Sequence, residues 1–108
     1  MRSISVCLMA ALCALPLTAV EIDSKYYLAH YELATLLEKI GRLEEAVRLY
    51  EVAEPAYRDN GEYHYRLGFT RFTLGDKTLA RESLLRAIAV APGSHSAAEA
   101  EDLLKVID

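Results

Sequence analysis

Histidine is the residue type whose spacing in this sequence first suggests chemistry. His30 and His64 recur 34 residues apart in matching His-Tyr-x-Leu motifs, and His95 adds a third imidazole. Imidazole nitrogens are good zinc ligands, so a shared metal site is one hypothesis. Equivalent residues on stacked helices lie about 10 Å apart, which is too far for direct co-ligation. No short-spaced ligand pair is present either, so we expect packing histidines and neither a metal nor another cofactor.

Catalytic patterns are absent from the sequence. It has no glycine-rich phosphate loop, no Gly-x-Ser-x-Gly and no His-Glu-x-x-His. The paired acids Glu44-Glu45 and Glu101-Asp102 fall in first turns or on helix faces, where they favour the helix dipole or solvate the surface. The sequence therefore predicts a protein that is not an enzyme.

Residues 1–19 predict a signal peptide. Arg2 precedes an apolar run of about a dozen residues, and the small residue Ala19 follows it. Cleavage after Ala19 is the favoured interpretation. The alternative is an uncleaved membrane anchor, because the apolar stretch 4–20 reaches the short limit of the roughly 17–25 residues that span a bilayer. We expect an exported protein in a bacterial periplasm.

Export changes the composition of the mature chain. Cleavage after Ala19 removes both cysteines, Cys7 and Cys13, which excludes disulfides and thiol chemistry. It also removes Arg2, so the net charge moves from −4 to −5. That charge argues against nucleic acid or an anionic membrane as the main partner. Because a chain of roughly 88 residues buries a small core, good helix packing or a partner must help to stabilise it.

Helices are the elements that must position these residues, because apolar side chains recur at helical spacing in five segments. We predict helices over 26–40, 42–54, 62–74, 77–90 and 96–107. Asp23 or Ser24 is expected to cap the first helix, and Gly41 and Gly75 to end the first and third. Pro55 should end or kink the second helix, since proline removes a backbone donor.

Two of these helical hairpins are copies of each other. Residues 27–60 align with residues 61–94 at the positions where helices pack. The equivalent pairs include His30 and His64, Leu33 and Leu67, Gly41 and Gly75, Ala46 and Ala80, and Ala53 and Ala87. A period near 34 residues is typical of helix–turn–helix units that bury their apolar faces only by stacking.

The second copy resembles a tetratricopeptide repeat. That family's signature runs Trp-x2-Leu-Gly-x2-Tyr, then Ala-x3-Phe, Ala and Pro. The corresponding residues here are His64-x2-Leu67-Gly68-x2-Arg71, then Ala80-x3-Leu84, Ala87 and Pro92. The first copy shares the small residues Ala34, Ala46 and Ala53. Arg71 stands where the family has an aromatic residue, and Arg58 where proline is usual in the first copy.

The resemblance implies an all-α fold, with two helical hairpins in a right-handed α-solenoid and a C-terminal capping helix. The organisation expected is a signal peptide 1–19, a lead-in 20–26, repeats 27–60 and 61–94, and a capping helix 95–108. Two repeats are fewer than the three or so usually needed for stability. The capping helix, residues 21–25 or self-association must supply the missing contacts.

A concave groove lined by the first helix of each repeat is the family's binding surface, and the resemblance places six candidate partner-binding residues there. They are Tyr31, Thr35, Tyr65, Arg66, Phe69 and Phe72. Aromatic residues and arginine contribute most to interface energy because they bury large areas and keep polar contacts. The alternative is that Phe69 and Phe72 fill internal packing positions. The same resemblance puts six further residues on the groove side, namely Leu28, Glu32, Glu38, Lys39, Glu62 and Thr73.

The function expected is that of an exported adaptor or scaffold that binds a protein or peptide partner in this groove. One alternative is a self-associating module of an envelope assembly, in which the groove or the capping helix stacks on another copy. A third hypothesis is a metal-binding accessory protein that uses the histidines.

Overall fold

The chain folds into stacked helical hairpins. The computed structural model describes residues 16–107, with side chains from Ser24 onwards. Helices in this range are α1 (Pro16–Lys39), α2 (Leu43–Tyr57), α3 (Gly61–Leu74), α4 (Lys77–Val90) and α5 (His95–Ile107). The hairpins are α1–α2 and α3–α4, α2 packs on α3, and α5 packs on both α3 and α4. The predicted all-α, solenoid-like fold is confirmed.

The first helix is longer than the sequence predicts. It begins at Pro16 rather than Tyr26, so the predicted caps at Asp23 or Ser24 are wrong. Proline suits the first position of a helix, because its missing N–H has no helical acceptor there. The first fifteen residues of the predicted signal peptide lie outside the described part of the chain. Within residues 16–107, no helix is long and apolar enough to cross a membrane.

The second helix continues past the proline that was expected to end or kink it. Pro55 lies inside α2, which runs to Tyr57 rather than Glu54. Proline leaves the carbonyl of Glu51 without its usual helical donor. The last turn is held by tertiary packing instead, since the Tyr57 ring stacks on Tyr31 with centroids 4.5 Å apart.

Both hairpins turn through the same glycine-based cap. Gly41 and Gly75 have φ of 86° and 93°, a left-handed conformation that favours glycine. The Gly75 N–H donates to the Phe72 carbonyl at 2.9 Å, and Asp76 N–H to the Arg71 carbonyl at 2.9 Å. This pattern satisfies the last carbonyls of α3. Gly41 closes α1 in the same way, so the glycine repeat in the sequence is a repeated turn.

Small residues sit where the helices cross, as the alignment predicts. The alanines Ala34, Ala46, Ala53, Ala80 and Ala87 are fully buried. Helices α3 and α4 approach most closely at Gly68. A Cβ added there would lie 2.8 Å from Leu84 Cδ2 and 3.2 Å from the Ala80 carbonyl oxygen. The α3–α4 crossing therefore requires the absence of a side chain at Gly68.

Four tyrosines join the two hairpins. Tyr31, Tyr50, Tyr57 and Tyr63 form a cluster with ring centroids 4.5 to 6.1 Å apart. The buried Tyr63 hydroxyl donates to the Tyr50 carbonyl at 2.6 Å, across the α2–α3 interface. The Tyr50 hydroxyl donates to Glu38 at 2.6 Å, across the α1–α2 interface. These two bonds fix the relative positions of α1, α2 and α3.

Arg71 stands where the tetratricopeptide signature has an aromatic residue, and it makes polar contacts there. Its guanidinium donates to the Ser83 hydroxyl on α4 at 2.8 Å and to the Glu51 carboxylate on α2 at 3.1 Å. One side chain on α3 thus bridges both neighbouring helices. The departure from the family pattern is compensated locally by hydrogen bonding.

Candidate partner-binding groove

A groove of about 520 Å³ lies between α1, α3 and α5, on the side where the resemblance predicts a binding surface. Helix α3 supplies half of its lining and α5 most of the rest. The lining residues are Glu38, Glu62, Tyr65, Arg66, Phe69, His95, Ser96 and Glu99. We call this surface the groove.

Three of the predicted site residues meet in the groove. Tyr65, Arg66 and Phe69 all lie on α3, and the Tyr65 and Phe69 rings are 6.2 Å apart. Positions i and i+4 share one face of a helix, so the two rings form a continuous apolar strip. Phe69 is 41% exposed, a large apolar side chain that the described fold leaves uncovered.

The other three predicted residues are not among those that line the groove. Tyr31 belongs to the tyrosine cluster, and Phe72 packs against the core cluster between α4 and α5. The Thr35 hydroxyl donates to the Glu32 carbonyl within α1 at 2.7 Å. The internal-packing alternative therefore describes Phe72, whereas Phe69 faces the groove.

Negative charge surrounds the aromatic strip. Glu38, Glu62 and Glu99 come from three different helices. Among the described side chains that line the groove, Arg66 is the only lysine or arginine, and its Nε lies 3.0 Å from a Glu62 carboxylate oxygen. His95, on the rim, lies 3.1 Å from Glu99. With Arg66 compensated by Glu62, two carboxylates remain, so the groove is acidic as well as aromatic.

Burial, hydrogen bonds and nearby charges raise the pKa of side chains in and beside the groove. Burial and the bond to Glu38 raise the pKa of Tyr50, so this phenol stays a donor that orients the Glu38 carboxylate. Burial, then the charges of Glu99 and Glu38, raise the pKa of Tyr65. Burial alone would lower the pKa of Arg66, but the hydrogen bond to Glu62 and the charges of Tyr31, Tyr50 and Glu62 together outweigh burial and raise that pKa. The arginine therefore stays charged beside its carboxylate.

A second depression continues the groove along α5. Its volume is about 310 Å³, and it shares Tyr65 and Glu99 with the groove. Asp102, Leu103 and Val106 complete its lining. It repeats the combination of apolar and acidic side chains, so the two depressions together form an elongated surface.

Sequence reasoning missed the contribution of α5, although the signal was present. Applying the 34-residue offset once more to Glu62 and Tyr65 gives Ser96 and Glu99, which do line the groove. Helix α5 therefore occupies the place of the first helix of a third repeat, a role beyond that of the cap predicted for it.

Two of the three histidines, His30 and His64, have backbone partners. His64 is buried, and its Nε2 lies 2.7 Å from the Arg58 carbonyl at the end of α2. Because a carbonyl only accepts, this nitrogen carries the proton. His30 Nδ1 lies 2.8 Å from the Tyr26 carbonyl within α1. Among the side chains that the structure describes, no group of three or more His, Cys, Asp or Glu could hold a metal ion.

Stacked hairpins with a groove along their first helices define a helical-repeat protein. Residues 61–94 match the family model of the tetratricopeptide repeat. The chain therefore contains a tetratricopeptide repeat in its second hairpin, and the predicted resemblance is confirmed. Such repeats generally mediate protein–protein interaction. No curated protein matches the sequence.

Proposed function

We propose that this protein is an adaptor that binds a segment of a partner protein in the groove. The observation that carries the proposal is the exposed ring of Phe69, flanked by Tyr65 and surrounded by carboxylates from three helices. Burying an aromatic side chain gains about 1.5–3 kcal/mol, so Phe69 and Tyr65 can anchor an apolar residue of the partner.

Charge decides which segments fit the groove. Glu38 and Glu99 attract lysine or arginine side chains, whereas an acidic segment is repelled. The Glu62–Arg66 pair lies along α3 and keeps Arg66 from competing as a free cation. The preferred partner segment therefore combines apolar anchors with basic residues, and its binding should weaken as salt screens the charges.

A peptide array of random twelve-residue sequences, probed with the full chain, tests this proposal. We expect the bound sequences to be enriched in Lys and Arg together with Leu and Phe. A selected peptide should then bind Phe69→Ala at least tenfold more weakly in a fluorescence-anisotropy titration. Leu85→Ala is the matched control, because Leu85 is 51% exposed on α4 and does not line the groove.

Two results would overturn this function. One is an array on which acidic sequences predominate or none bind. The other is a selected peptide that binds wild type and Phe69→Ala equally, which would place the contact elsewhere. Circular dichroism of each variant shows whether its fold is retained. Phe72 is unsuitable for this test, because it packs against the core and its truncation would lower stability directly.

We also propose export, with residues 1–19 as a cleaved signal peptide. The support is the sequence pattern of a basic start, an apolar run and Ala19. Cleavage there would shorten α1 at its amino end and leave residues 20–39 for the first hairpin. Expression of the full chain in a bacterium, followed by mass spectrometry of the envelope fraction, tests this. A mass that retains residues 1–19, or recovery from the cytoplasm alone, would contradict it.

A further inference from the structure

An apolar stripe runs along the outer face of α1, where the described part of the chain leaves it uncovered. Leu33 is 48% exposed and Leu36 is 57% exposed. The stripe continues along the same face in both directions. Its members are Tyr26, Ala29, Leu33 and Leu36 on α1 and Ile40 one residue beyond its end, and all of them are exposed. We call this surface the α1 stripe.

The second hairpin shows what such a face does when it is covered. The 34-residue offset maps Leu33 onto Leu67 and Leu36 onto Thr70. Leu67 is only 5% exposed and Thr70 is fully buried, because α3 stacks on the preceding hairpin. The central part of the α1 stripe is thus a repeat-stacking face, and residues 24–107 contain no hairpin that stacks on it.

The stripe has the spacing of a helix–helix seam. Its members follow one another at steps of three, four, three and four residues, which is the a/d pattern of a coiled coil. A tetratricopeptide neighbour would need a complementary hairpin. A second copy of α1 needs no complementary hairpin, because the apolar residues of two antiparallel α1 helices can pack against each other. Leu33 then meets Leu36 of the second copy, and Ala29 meets Ile40.

The charged residues beside the stripe also favour antiparallel pairing. Glu32 and Lys39 lie on one edge of the stripe, and both are exposed. In the antiparallel register that pairs Leu33 with Leu36, Glu32 faces Lys39 of the second copy, and the pair occurs twice by symmetry. In a parallel pair, by contrast, Glu32 would face Leu37 of the second copy. The charges are therefore complementary only in the antiparallel pair.

We propose that a second copy of this chain covers the α1 stripe, through antiparallel α1–α1 pairing with Glu32–Lys39 contacts. This inference is independent of the groove and of any partner bound there. It locates self-association on the outer face of α1, whereas the sequence suggests the groove or the capping helix. It also supplies the stacking contacts that two repeats lack.

Sedimentation equilibrium of the full chain tests for the pair. Wild type should be a dimer, and Leu33→Glu/Leu36→Glu should raise the dimer dissociation constant at least a hundredfold. Leu85→Glu is the matched control, since it places a charge at an equally exposed leucine on α4. A wild-type chain that stays monomeric at all concentrations would overturn the proposal.

A charge-swap experiment tests the register without touching the apolar residues. Glu32→Lys and Lys39→Glu should each weaken the dimer about tenfold, because each places like charges in contact. Mixing the two variants should restore wild-type association, since both contacts of the mixed dimer then join one lysine to one glutamate. Failure of the mixture to recover would exclude the antiparallel register. Both positions are exposed, so this test remains valid if the glutamate variants of the stripe fail to fold.

Discussion

Single residues determine how closely these helices can approach. Gly68 is the clearest case, because any Cβ there would overlap the Leu84 side chain. The equivalent residue in the first hairpin is Ala34, which is buried beside Ala46 without being glycine. The sequence alignment could identify both positions as small. It could not say which crossing was tighter, because that depends on the side chain opposite, Leu84 in one hairpin and Tyr50 in the other.

Tyrosine protonation predicts how stability responds to alkaline pH. Burial and the bond to Glu38 raise the pKa of Tyr50 above its ordinary value of 10.0. Above pH 10 the unfolded chain ionises this phenol while the folded chain keeps the proton, so stability falls as pH rises. The slope per such tyrosine is about 1.4 kcal/mol for each pH unit. Below pH 10 this contribution is fully present.

Urea unfolding between pH 8 and pH 11 measures this slope. Tyr50→Phe should be less stable than wild type at pH 8, because it loses a hydrogen bond, yet its stability should fall less steeply above pH 10. Tyr26→Phe, at an exposed position, is the control for removing one tyrosine. Equal slopes for wild type and Tyr50→Phe would contradict the prediction.

At the scale of the element, the starts of α3 and α4 are predicted closely. Asn60 and Asp76 accept hydrogen bonds from the third residue beyond them, and both begin helices within one residue of the predicted position. Gly75 ends α3 where expected. The errors lie at the start of α1 and at the end of α2, which runs to Tyr57 rather than Glu54. In α2 the local signal was overridden, because packing of Tyr57 on Tyr31 outweighs the missing hydrogen bond.

Helix α5 is both a core element and a wall of the groove. Ala100 is fully buried in the cluster that joins α4 and α5. A carboxylate at this position would lose its hydration without gaining a partner, so Ala100→Asp should cost about 3 kcal/mol. Because α5 packs on the second hairpin without belonging to either hairpin, we expect it to detach before the hairpins unfold.

Hydrogen exchange by mass spectrometry detects this detachment. Protection in α5 should fall in Ala100→Asp, while protection in α3 falls less. Ala98→Asp is the matched control, because Ala98 is exposed on the same helix and its substitution should change stability by less than about 0.5 kcal/mol. Uniform loss of protection across all helices would mean that α5 and the hairpins unfold as one unit.

At the scale of the whole molecule, the groove and the α1 stripe differ in how far the sequence reveals them. Tyr65, Arg66 and Phe69 follow from the repeat alignment, but the same alignment also predicts Tyr31, Thr35 and Phe72, which do not line the groove. The acidity of the groove depends on Glu38 and Glu99, which come together only when three helices stack. Exposure of Leu33 is also a property of the stack, since its equivalent Leu67 is buried.

The groove and the α1 stripe lie on opposite sides of α1. At about 100° per residue, Glu38, which lines the groove, is about 160° from Ile40 around the helix axis. Pairing through the stripe therefore leaves both grooves of the dimer open, and one partner with two binding segments can occupy both.

A bivalent probe tests that arrangement. Two copies of an array-selected peptide, joined by flexible linkers of about 10, 20 or 40 residues, should bind wild type at least tenfold more tightly than one copy does, because the second contact is intramolecular. Leu33→Glu/Leu36→Glu should bind the single peptide normally and lose this gain, while Leu85→Glu should keep both. If the gain survives in the monomeric variant, it comes from rebinding at one groove and not from paired grooves. If it is absent from a wild-type dimer at every linker length, the α1 pairing does not leave both grooves accessible to one partner.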